Sequence, residues 1–547
     1  MELRDPPAQA LRRTLAAAAR VALLAGPTVI AFRAGGYFEE TTQIAGIVAW
    51  IVLAVLAVTV DGPIVPRTLA VRLALGGLAG YTLWVLLSRL WAPLAEPAGL
   101  DAQRDALYVA VLIAGALAWR DARPAPGAGR DPAAAGQPTR SGESGPPPGR
   151  PTRFGGSDPA AGRLGRFDWA RSVEAVVALG ILVVVGYGVL GRVLPGLIEL
   201  HPSRRAGGRL DQPLTYWNAM GALAAMGVVL CARMAGDRLR PAAIRMAAAA
   251  AGVPLGLGLY LTYSRGALAA VGCGLIVLAL LAPTRGQIRA LALVVGGAVV
   301  ACLVASRLDG VASVKGTLAH QERQGAVMLV VLVVVMAAAA GLAAWLARRD
   351  RGDRRLALPR WAFAAGWAAA IALALFPYAA AVVSERGEDN PSFGATASRL
   401  SSVGSNRYAY WRVAVRTFAD HPLKGTGAAA FRADWLRQRP FRESVRDAHS
   451  LYFETLDELG IVGFGLLCAL LAGVLLAVRR TMVHEPALAI GPAAALAVWA
   501  VHAGVDWDWE MPAVTLVALT LAGLLLARCE AIGPRPRPQR PAPPRPG

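Results

Sequence analysis

Arginine and histidine side chains that could act on an anionic substrate are concentrated in one polar segment, residues 384–452. A guanidinium group is always charged and can donate two parallel hydrogen bonds to a phosphate, a geometry that an ammonium group does not match. The same segment contains His449, whose imidazole can accept a proton near neutral pH. These residue types indicate either an anion-binding surface or a solvated helical surface. The arginines are Arg386, Arg399, Arg407, Arg412, Arg416, Arg432, Arg437, Arg439, Arg442 and Arg446.

Two further arginines lie in polar turns between long apolar blocks. Arg209 belongs to the basic, glycine-rich loop 201–211, which is followed by the Tyr-Trp-Asn sequence at 216–218. Arg265 lies in the very short turn 262–266. An ionisable side chain so close to an apolar slab is a functional candidate by default, and a side chain that snorkels to the lipid headgroups is the alternative.

The elements that must position these residues are apolar blocks of roughly 20 residues, the length that crosses a bilayer core of ~30 Å. Of the 547 residues, 55% are hydrophobic and only 17% are charged, whereas soluble domains are about a quarter charged. This composition excludes a soluble enzyme, a disordered chain and a disulfide scaffold. It predicts an all-α, polytopic membrane protein with about 12–14 transmembrane helices. The candidate spans are residues 14–32, 42–60, 69–88, 105–119, 172–193, 215–232, 242–262, 266–283, 287–306, 325–347, 361–383, 456–478, 485–503 and 511–528.

The net charge of +20 reports mainly on orientation, because arginines accumulate in every second loop, as the positive-inside rule describes for cytoplasmic segments. We therefore expect a multi-pass protein of the cytoplasmic membrane with both termini in the cytoplasm. Attraction to anionic membrane lipids is a by-product of this charge. Nucleic-acid binding is not expected, because basic and aromatic residues do not alternate in the linker or the tail.

The predicted organisation has six parts. A disordered cytoplasmic linker rich in arginine, proline and glycine separates the first spans from the central bundle, and a disordered basic tail ends the chain. The long extracytoplasmic loop is expected to be partly helical. Asp447 is the predicted N-cap of its last helix, which we expect to continue through Gly460 into the following span. The parts are N-terminal transmembrane helices 1–119, linker 120–171, central bundle 172–383, extracytoplasmic loop 384–455, C-terminal transmembrane helices 456–528 and tail 529–547.

Three groups of segments together resemble the O-antigen ligase/polymerase family, which comprises the ligases that move lipid-linked O-antigen and Wzy-type polymerases. The resemblance covers about residues 200–530 of the chain. Two departures are that Ser450 follows the histidine where the family often has asparagine, and that fourteen candidate spans exceed the roughly twelve usual in the ligases. The matching segments are Arg209 to Asn218, Tyr263-Ser264-Arg265-Gly266, and the run from Arg407 and Trp411 through Pro422-Leu423-Lys424-Gly425-Thr426-Gly427 to His449 and Glu458-Leu459-Gly460.

The resemblance implies a metal-independent glycosyltransferase without a cofactor. Its donor would be a glycan on undecaprenyl diphosphate, and its acceptor would be a hydroxyl of another glycan or a glycolipid, on the outer face of the cytoplasmic membrane. By similarity, Arg209 and Arg265 would hold the donor diphosphate, with Arg407 and Arg412 as further candidates, and His449 would activate the acceptor. Arginine suits a leaving diphosphate because fixed donors stabilise the charge that develops on it.

The alternative function is a secondary transporter or a lipid-linked glycan flippase. Transporters place polar residues at the membrane midplane on broken helices, whereas most span interiors here are alanine, leucine, valine and glycine. A non-catalytic partner in polysaccharide export is a third reading. The sequence Asp506-Trp507-Asp508 is similar to the DxD motif of metal-dependent glycosyltransferases, but its position between tryptophans in a short loop favours an interfacial belt. Ligase and polymerase activity are not separable from these residues.

Overall fold

A computed structural model describes residues 6–61, 65–120, 169–349, 355–383, 395 and 404–533. Within these residues the chain is helical, with turns and a single isolated bridge between Thr284 and Arg355. The all-α prediction is therefore confirmed. Most of linker 120–171 and of tail 529–547 lies outside the described residues. The helices are α1 Pro6–Ala31, α2 Glu39–Thr59, α3 Leu69–Ser88, α4 Ala95–Ala118, α5 Trp169–Val193, α6 Trp217–Gly236, α7 Ala242–Leu261, α8 Arg265–Leu281, α9 Arg285–Ala305, α10 Asp309–Ala312, α11 Leu318–Arg349, α12 Arg360–Val383, α13 Arg407–Asp420, α14 Phe431–Gln438, α15 Leu451–His484, α16 Pro486–Ala503 and α17 Pro512–Ala531.

Twelve helices among the described residues are long and apolar enough to cross a membrane, so the predicted multi-pass membrane protein is confirmed. Helices α4 and α8 fall outside these twelve. Nevertheless, α4 extends along α17, because Asp105 accepts a hydrogen bond from Trp509 at one end (2.9 Å) and the Trp119 carbonyl accepts from Arg528 at the other (3.4 Å). The predicted span 105–119 was too short, because charged residues such as Arg104, which lies 2.9 Å from Asp101, interrupt the apolar run inside the helix.

Helices α6 and α17 form the centre of the bundle, and the membrane-crossing window of each is completely buried. Both helices are apolar on all sides, which suits a position surrounded by other helices. Tyr216 immediately precedes α6, and the loop of residues 504–511 immediately precedes α17. The polar segments attached to these two helices are therefore held over the middle of the bundle rather than at its edge.

Helix ends meet in two groups on opposite sides of the bundle. Charged pairs on one side join the start of α5 to the loop after α6, through Glu174 and Arg240, and join the end of α15 to α17, through Glu485 and Arg528 at 2.5 Å. On the other side lie the α1–α2 turn, the start of α4, the turn at Arg265, helices α13 and α14, and the 504–511 loop. The assignment of one of these groups to the cytoplasmic side stays a prediction.

Helix α15 is tied to α3 by close backbone approach. A Cβ atom on Gly77 would lie 2.5 Å from the backbone nitrogen of Leu470, and one on Gly473 would overlap the backbone of Ala74. Small residues allow membrane helices to pack at such short range. On the His449 side of α15, Tyr81 of α3 hydrogen-bonds Thr455 (3.2 Å) and Trp84 donates to the Leu459 carbonyl (3.0 Å), so α3 also holds the part of the helix that follows the histidine.

Helix α15 is interrupted at Gly460, whose φ of 62° and ψ of −163° are essentially restricted to glycine. Residues 422–427 fill the break. The Thr426 amide donates to the Asp457 carbonyl (3.1 Å), the Gly427 amide donates to the Glu458 carbonyl (2.7 Å), and the Ile461 amide donates to the Pro422 carbonyl (2.8 Å). The predicted uninterrupted helix through Gly460 is therefore wrong, because the Pro-Leu-Lys-Gly-Thr-Gly segment takes over backbone groups that a helix would pair internally.

The start of α15 also differs from the prediction. Ser450, not Asp447, is the N-cap residue, and its hydroxyl accepts a hydrogen bond from the Phe453 amide at 3.4 Å. Serine is as good an N-cap as aspartate. Asp447 instead uses its carbonyl to accept a hydrogen bond from the His449 ring.

Candidate active site

The loop of residues 504–511 is the centre of the candidate site. Asp506 in this loop is completely buried, and it accepts hydrogen bonds from Arg407 at 2.6 Å and from the Tyr216 hydroxyl at 2.7 Å. Burial alone would raise the pKa of Asp506, but the positive charge of Arg407 holds it below its ordinary value. Asp506 is therefore an anion that joins α13, α17 and the segment before α6.

Arg407 is the first residue of α13, and its guanidinium also donates to the Val505 carbonyl at 2.5 Å. Burial opposes the charged form, but the adjacent Asp506 raises the pKa of Arg407 above its ordinary value. A guanidinium group carries five N–H donors, so two protein contacts do not exhaust it. Arg407 is thus positioned as a structural tie that also faces the site.

His449 lies against aromatic rings beside this pair. Its ring centroid is 5.4 Å from that of Tyr410 and 6.0 Å from that of Trp507. Burial, assisted by the charge of Arg407, lowers the pKa of His449 below its ordinary value, although Asp506 opposes the shift. The imidazole is therefore neutral near pH 7.

The neutral His449 ring has a defined tautomer. Its Nδ1 lies 3.0 Å from the Asp447 carbonyl oxygen, which can only accept a hydrogen bond. The hydrogen-bond network consequently assigns the proton to Nδ1 and leaves the lone pair on Nε2. This is the state that a general base requires.

Three residues without glycine's freedom adopt left-handed backbone conformations around the site: Thr215 at φ 66°, Tyr263 at φ 50° and His449 at φ 55°. Each such conformation costs on the order of 1–3 kcal/mol and persists only where the surroundings impose it. Each of the three lies within two residues of a candidate segment, next to Tyr216, before Arg265, or at the histidine itself. The fold therefore maintains strained backbone at this end of the bundle.

Arg209 is held inside loop 201–211. Its guanidinium carbon lies 3.5 Å from the centroid of the Trp217 ring, and it donates to the carbonyls of Ala206 (2.7 Å) and Arg205 (2.8 Å). Only 2% of Arg209 is exposed. Because the rings of Trp217 and Tyr216 are 5.0 Å apart, Arg209 is connected to Asp506 through two aromatic residues.

Arg265 is the first residue of α8 and is half-buried. It donates to the Gly404 carbonyl at 3.0 Å, three residues before Arg407. A Cβ atom at the next position, Gly266, would lie 3.1 Å from Val505. The turn between α7 and α8 therefore contacts both the start of α13 and the 504–511 loop.

Arg412 donates to the Tyr408 carbonyl at 3.3 Å. It follows Arg407 by five residues, which places the two side chains about 140° apart around α13. Arg407 and His449 thus lie in one cluster. Arg265 is connected to this cluster through the Gly404 carbonyl, and Arg209 through the rings of Trp217 and Tyr216. Arg412 lies on another face of α13.

The sequence analysis missed Asp506 and Tyr216 as members of the site. Asp506 and Asp508 are both fully buried, and Asp508 lies 2.6 Å from the ring of His502, so an interfacial belt does not describe them. The sequence feature that could have identified Asp506 as a site residue is the Asp-Trp-Asp motif beside an apolar span. Within the described part of the chain, no group of three or more histidine, cysteine, aspartate or glutamate side chains could hold a metal. Metal independence of a reaction stays a prediction.

The fold and the site define a multi-pass membrane protein with a polar helical segment docked on one side of its bundle. Residues 323–468 match the family model described as O-antigen ligase (Wzy_C). This match runs from α11 into α15 and includes Arg407, Arg412 and His449, and it confirms the resemblance to the O-antigen ligase/polymerase family over this part of the chain. Arg209, Arg265 and Asp506 lie outside the matched residues. No curated protein matches the chain.

Proposed function

We propose that the protein is a metal-independent glycosyltransferase that moves a glycan from undecaprenyl diphosphate to an acceptor hydroxyl at the outer face of the cytoplasmic membrane. The observation that carries this proposal is the neutral His449, with its proton assigned to Nδ1, beside the Arg407–Asp506 pair and inside the family-matched segment. A transporter would be expected to place such polar groups near the membrane midplane, whereas this cluster lies in loops at one end of the bundle.

The proposed reaction is a displacement at the anomeric carbon of the donor. Nε2 of His449 takes the proton of the acceptor hydroxyl while the acceptor oxygen forms the new glycosidic bond to the anomeric carbon. The bond from the anomeric carbon to the diphosphate oxygen breaks, and the lipid diphosphate leaves with the electron pair. General-base assistance of this kind typically contributes about 10²–10⁴-fold.

Arginine is proposed to stabilise the charge that develops on the leaving diphosphate. Arg265 is the first candidate because it is half-buried and joins the turn before α8 to the start of α13. Arg209, Arg407 and Arg412 are the further candidates. Arg209 is stacked on Trp217 and Arg407 is paired with Asp506, so their contributions include holding the loops that shape the donor site.

The proposed orientation places both termini in the cytoplasm. It is supported by the arginines at the helix ends opposite the site, including Arg233, Arg240 and Arg528, since such residues accumulate on the cytoplasmic side. In this orientation His449 lies outside, where a translocated lipid-linked glycan is accessible.

The proposal is tested with purified protein in liposomes that contain a lipid-diphosphate oligosaccharide and a candidate acceptor. His449→Asn is the informative variant, because asparagine also tolerates the left-handed backbone but offers no base. We expect transfer to fall by about 10²-fold or more. The matched control is His421→Asn, at an exposed position after α13, which is expected to keep its activity. Unchanged transfer by a folded His449→Asn protein would contradict the proposal.

A further inference from the structure

Two cavities lie end to end along α2 and α4, on the side of the bundle away from the α7–α8 turn. The outer cavity is polar and has a volume of about 350 Å³, and the inner one is an apolar groove of about 420 Å³. They occupy successive turns of the same helices, since Thr42 and Arg104 line the polar cavity whereas Ala45 and Leu107 line the groove. We propose that this pair of cavities binds a lipid-anchored acceptor, with its sugar in the polar cavity and its hydrocarbon chain in the groove.

The polar cavity adjoins His449. Asp447 lines the cavity and bonds the His449 ring through its carbonyl. Tyr37 also lines the cavity, and its ring centroid lies 5.1 Å from that of Trp507, which in turn packs against His449. A sugar in this cavity is therefore separated from the proposed base by one layer of side chains, and that layer has to move aside before an acceptor hydroxyl can reach Nε2.

The charges of the polar cavity suit a sugar better than a diphosphate. Its wall contains five carboxylates, including Asp447, Glu454 and Glu510, against three arginines. Carboxylate oxygens accept hydrogen bonds from hydroxyl groups, whereas an excess of carboxylates repels a diphosphate. Burial raises the pKa of Glu510 to about 8, so this group also supplies a hydroxyl donor near neutral pH. A polyhydroxylated ligand uses both.

The groove has the length and surface that one lipid chain requires. One wall runs from Ala22 in α1 to Arg33 just after it, and the α2 wall runs from Thr41 to Val52; each covers twelve residues, or ~16 Å for eleven rises of 1.5 Å. This is about half of a bilayer core of ~30 Å, so the groove matches the leaflet next to the polar cavity. Gly26 lines the groove, and a Cβ atom placed on it would meet no atom within 4 Å.

The position of the candidate donor site favours the acceptor as the occupant. Arg209 and Arg265 belong to the loops around α6 and α8, and the Tyr216 and Trp507 rings, 4.6 Å apart, stand between them and Tyr37 of the polar cavity. Two lipid-linked substrates would then approach His449 from different sides. This inference rests on the proposed glycosyl transfer, but it concerns binding and is measurable without turnover.

The test uses the full-length protein in liposomes and a dodecyl glucoside that carries a photoactivatable diazirine in its chain. We expect the label to attach to peptides of α1, α2 and α4. Gly26→Trp fills the groove and is expected to reduce this labelling on the order of tenfold. Gly296→Trp is the matched control, because Gly296 is an exposed membrane glycine on α9 with equally open space, and its labelling should equal that of the wild type.

A dodecyl phosphate with the same diazirine distinguishes the two lipid substrates. Labelling of the groove by the phosphate probe as strongly as by the glucoside would assign the groove to the donor chain and overturn the inference, as would labelling that Gly26→Trp leaves unchanged. Equal thermal unfolding of the two tryptophan variants verifies folding. In transfer assays, Gly26→Trp should raise KM for a lipid-anchored acceptor without lowering kcat. If His449→Asn binds the glucoside normally but still transfers glycan, the proposed base fails while the binding site stands.

Discussion

Removal of the Asp506 charge is the most direct test of the loop at the centre of the site. Asp506→Asn keeps the shape of the side chain but leaves Arg407, only 22% exposed and 2.6 Å away, without its counter-charge. Loss of one partner of a buried ion pair costs about 3–5 kcal/mol, because an uncompensated charge stays buried. Since Arg407 keeps some contact with solvent, we expect a value near the lower limit of this range.

The measurement is thermal unfolding in detergent, followed by tryptophan fluorescence, for Asp506→Asn, Arg407→Gln and the double variant. If the pair is coupled as the geometry indicates, the double variant loses less stability than the sum of the two single variants. Asp420→Asn, at the exposed end of α13, is the control and should change stability by less than about 0.5 kcal/mol. A cost below about 1 kcal/mol for Asp506→Asn would be typical of a surface pair and would refute the reasoning.

The Asp506→Asn variant should also change the pH dependence of the transfer rate. The proposed transfer requires neutral His449, so its rate should rise with pH through the pKa of this histidine and then stay constant. That pKa already lies below its ordinary value because of burial and Arg407, and the negative charge of Asp506 raises it in part. Asp506→Asn removes this opposing charge, so the rising limb should move to lower pH. A limb that moves to higher pH, or stays in place in the folded variant, would show that Asp506 does not act on His449.

Two further predictions concern the proposed donor contact and the break in α15. Arg265→Lys keeps the charge but loses bidentate donation, so it should lower kcat/KM for the lipid-diphosphate donor by more than tenfold. The control Arg416→Lys, at an exposed position on α13, should match the wild type. Equal losses in both variants would rule out a specific phosphate contact. Gly460→Ala places a Cβ atom 2.5 Å from the Leu423 carbonyl at a conformation restricted to glycine, so it should abolish or strongly reduce the yield of folded protein. The control Gly465→Ala, with open space around it, should fold normally. A normal yield of Gly460→Ala would contradict the insertion of residues 422–427 into α15.

The helical bundle was predictable from sequence because membrane spans are encoded locally. A run of about 20 apolar residues has few alternatives to a helix in a bilayer, and the turn before Arg265 was recognisable from the two blocks that it separates. The first half of α4 was missed because Arg104 and Asp105 break the apolar run. Their burial is tolerated only because Asp101 and Trp509 contact them, and such partners are distant in sequence or invisible to a hydropathy window.

The site was predictable only in part, for a related reason. His449 and the arginines were recognisable from residue type and from the family resemblance. The role of Asp506 depends on contacts with Arg407 and Tyr216, which are 99 and 290 residues away along the chain. The break at Gly460 likewise depends on residues 422–427, and helical periodicity on either side of a single glycine gives no sign of it.

The segment of residues 422–427 inserted into α15 has a consequence for which surfaces of the molecule can vary. The joint consists mainly of main-chain hydrogen bonds and glycines, and the Thr426 hydroxyl adds one contact to Asp434 of α14 at 3.0 Å. Apart from Asp434, the surfaces of α13 and α14 can therefore diversify, or be exchanged between related chains, while the imidazole keeps its place relative to the bundle. Under the proposed function, a change of sugar and the preservation of the reacting geometry would depend on separate parts of the molecule.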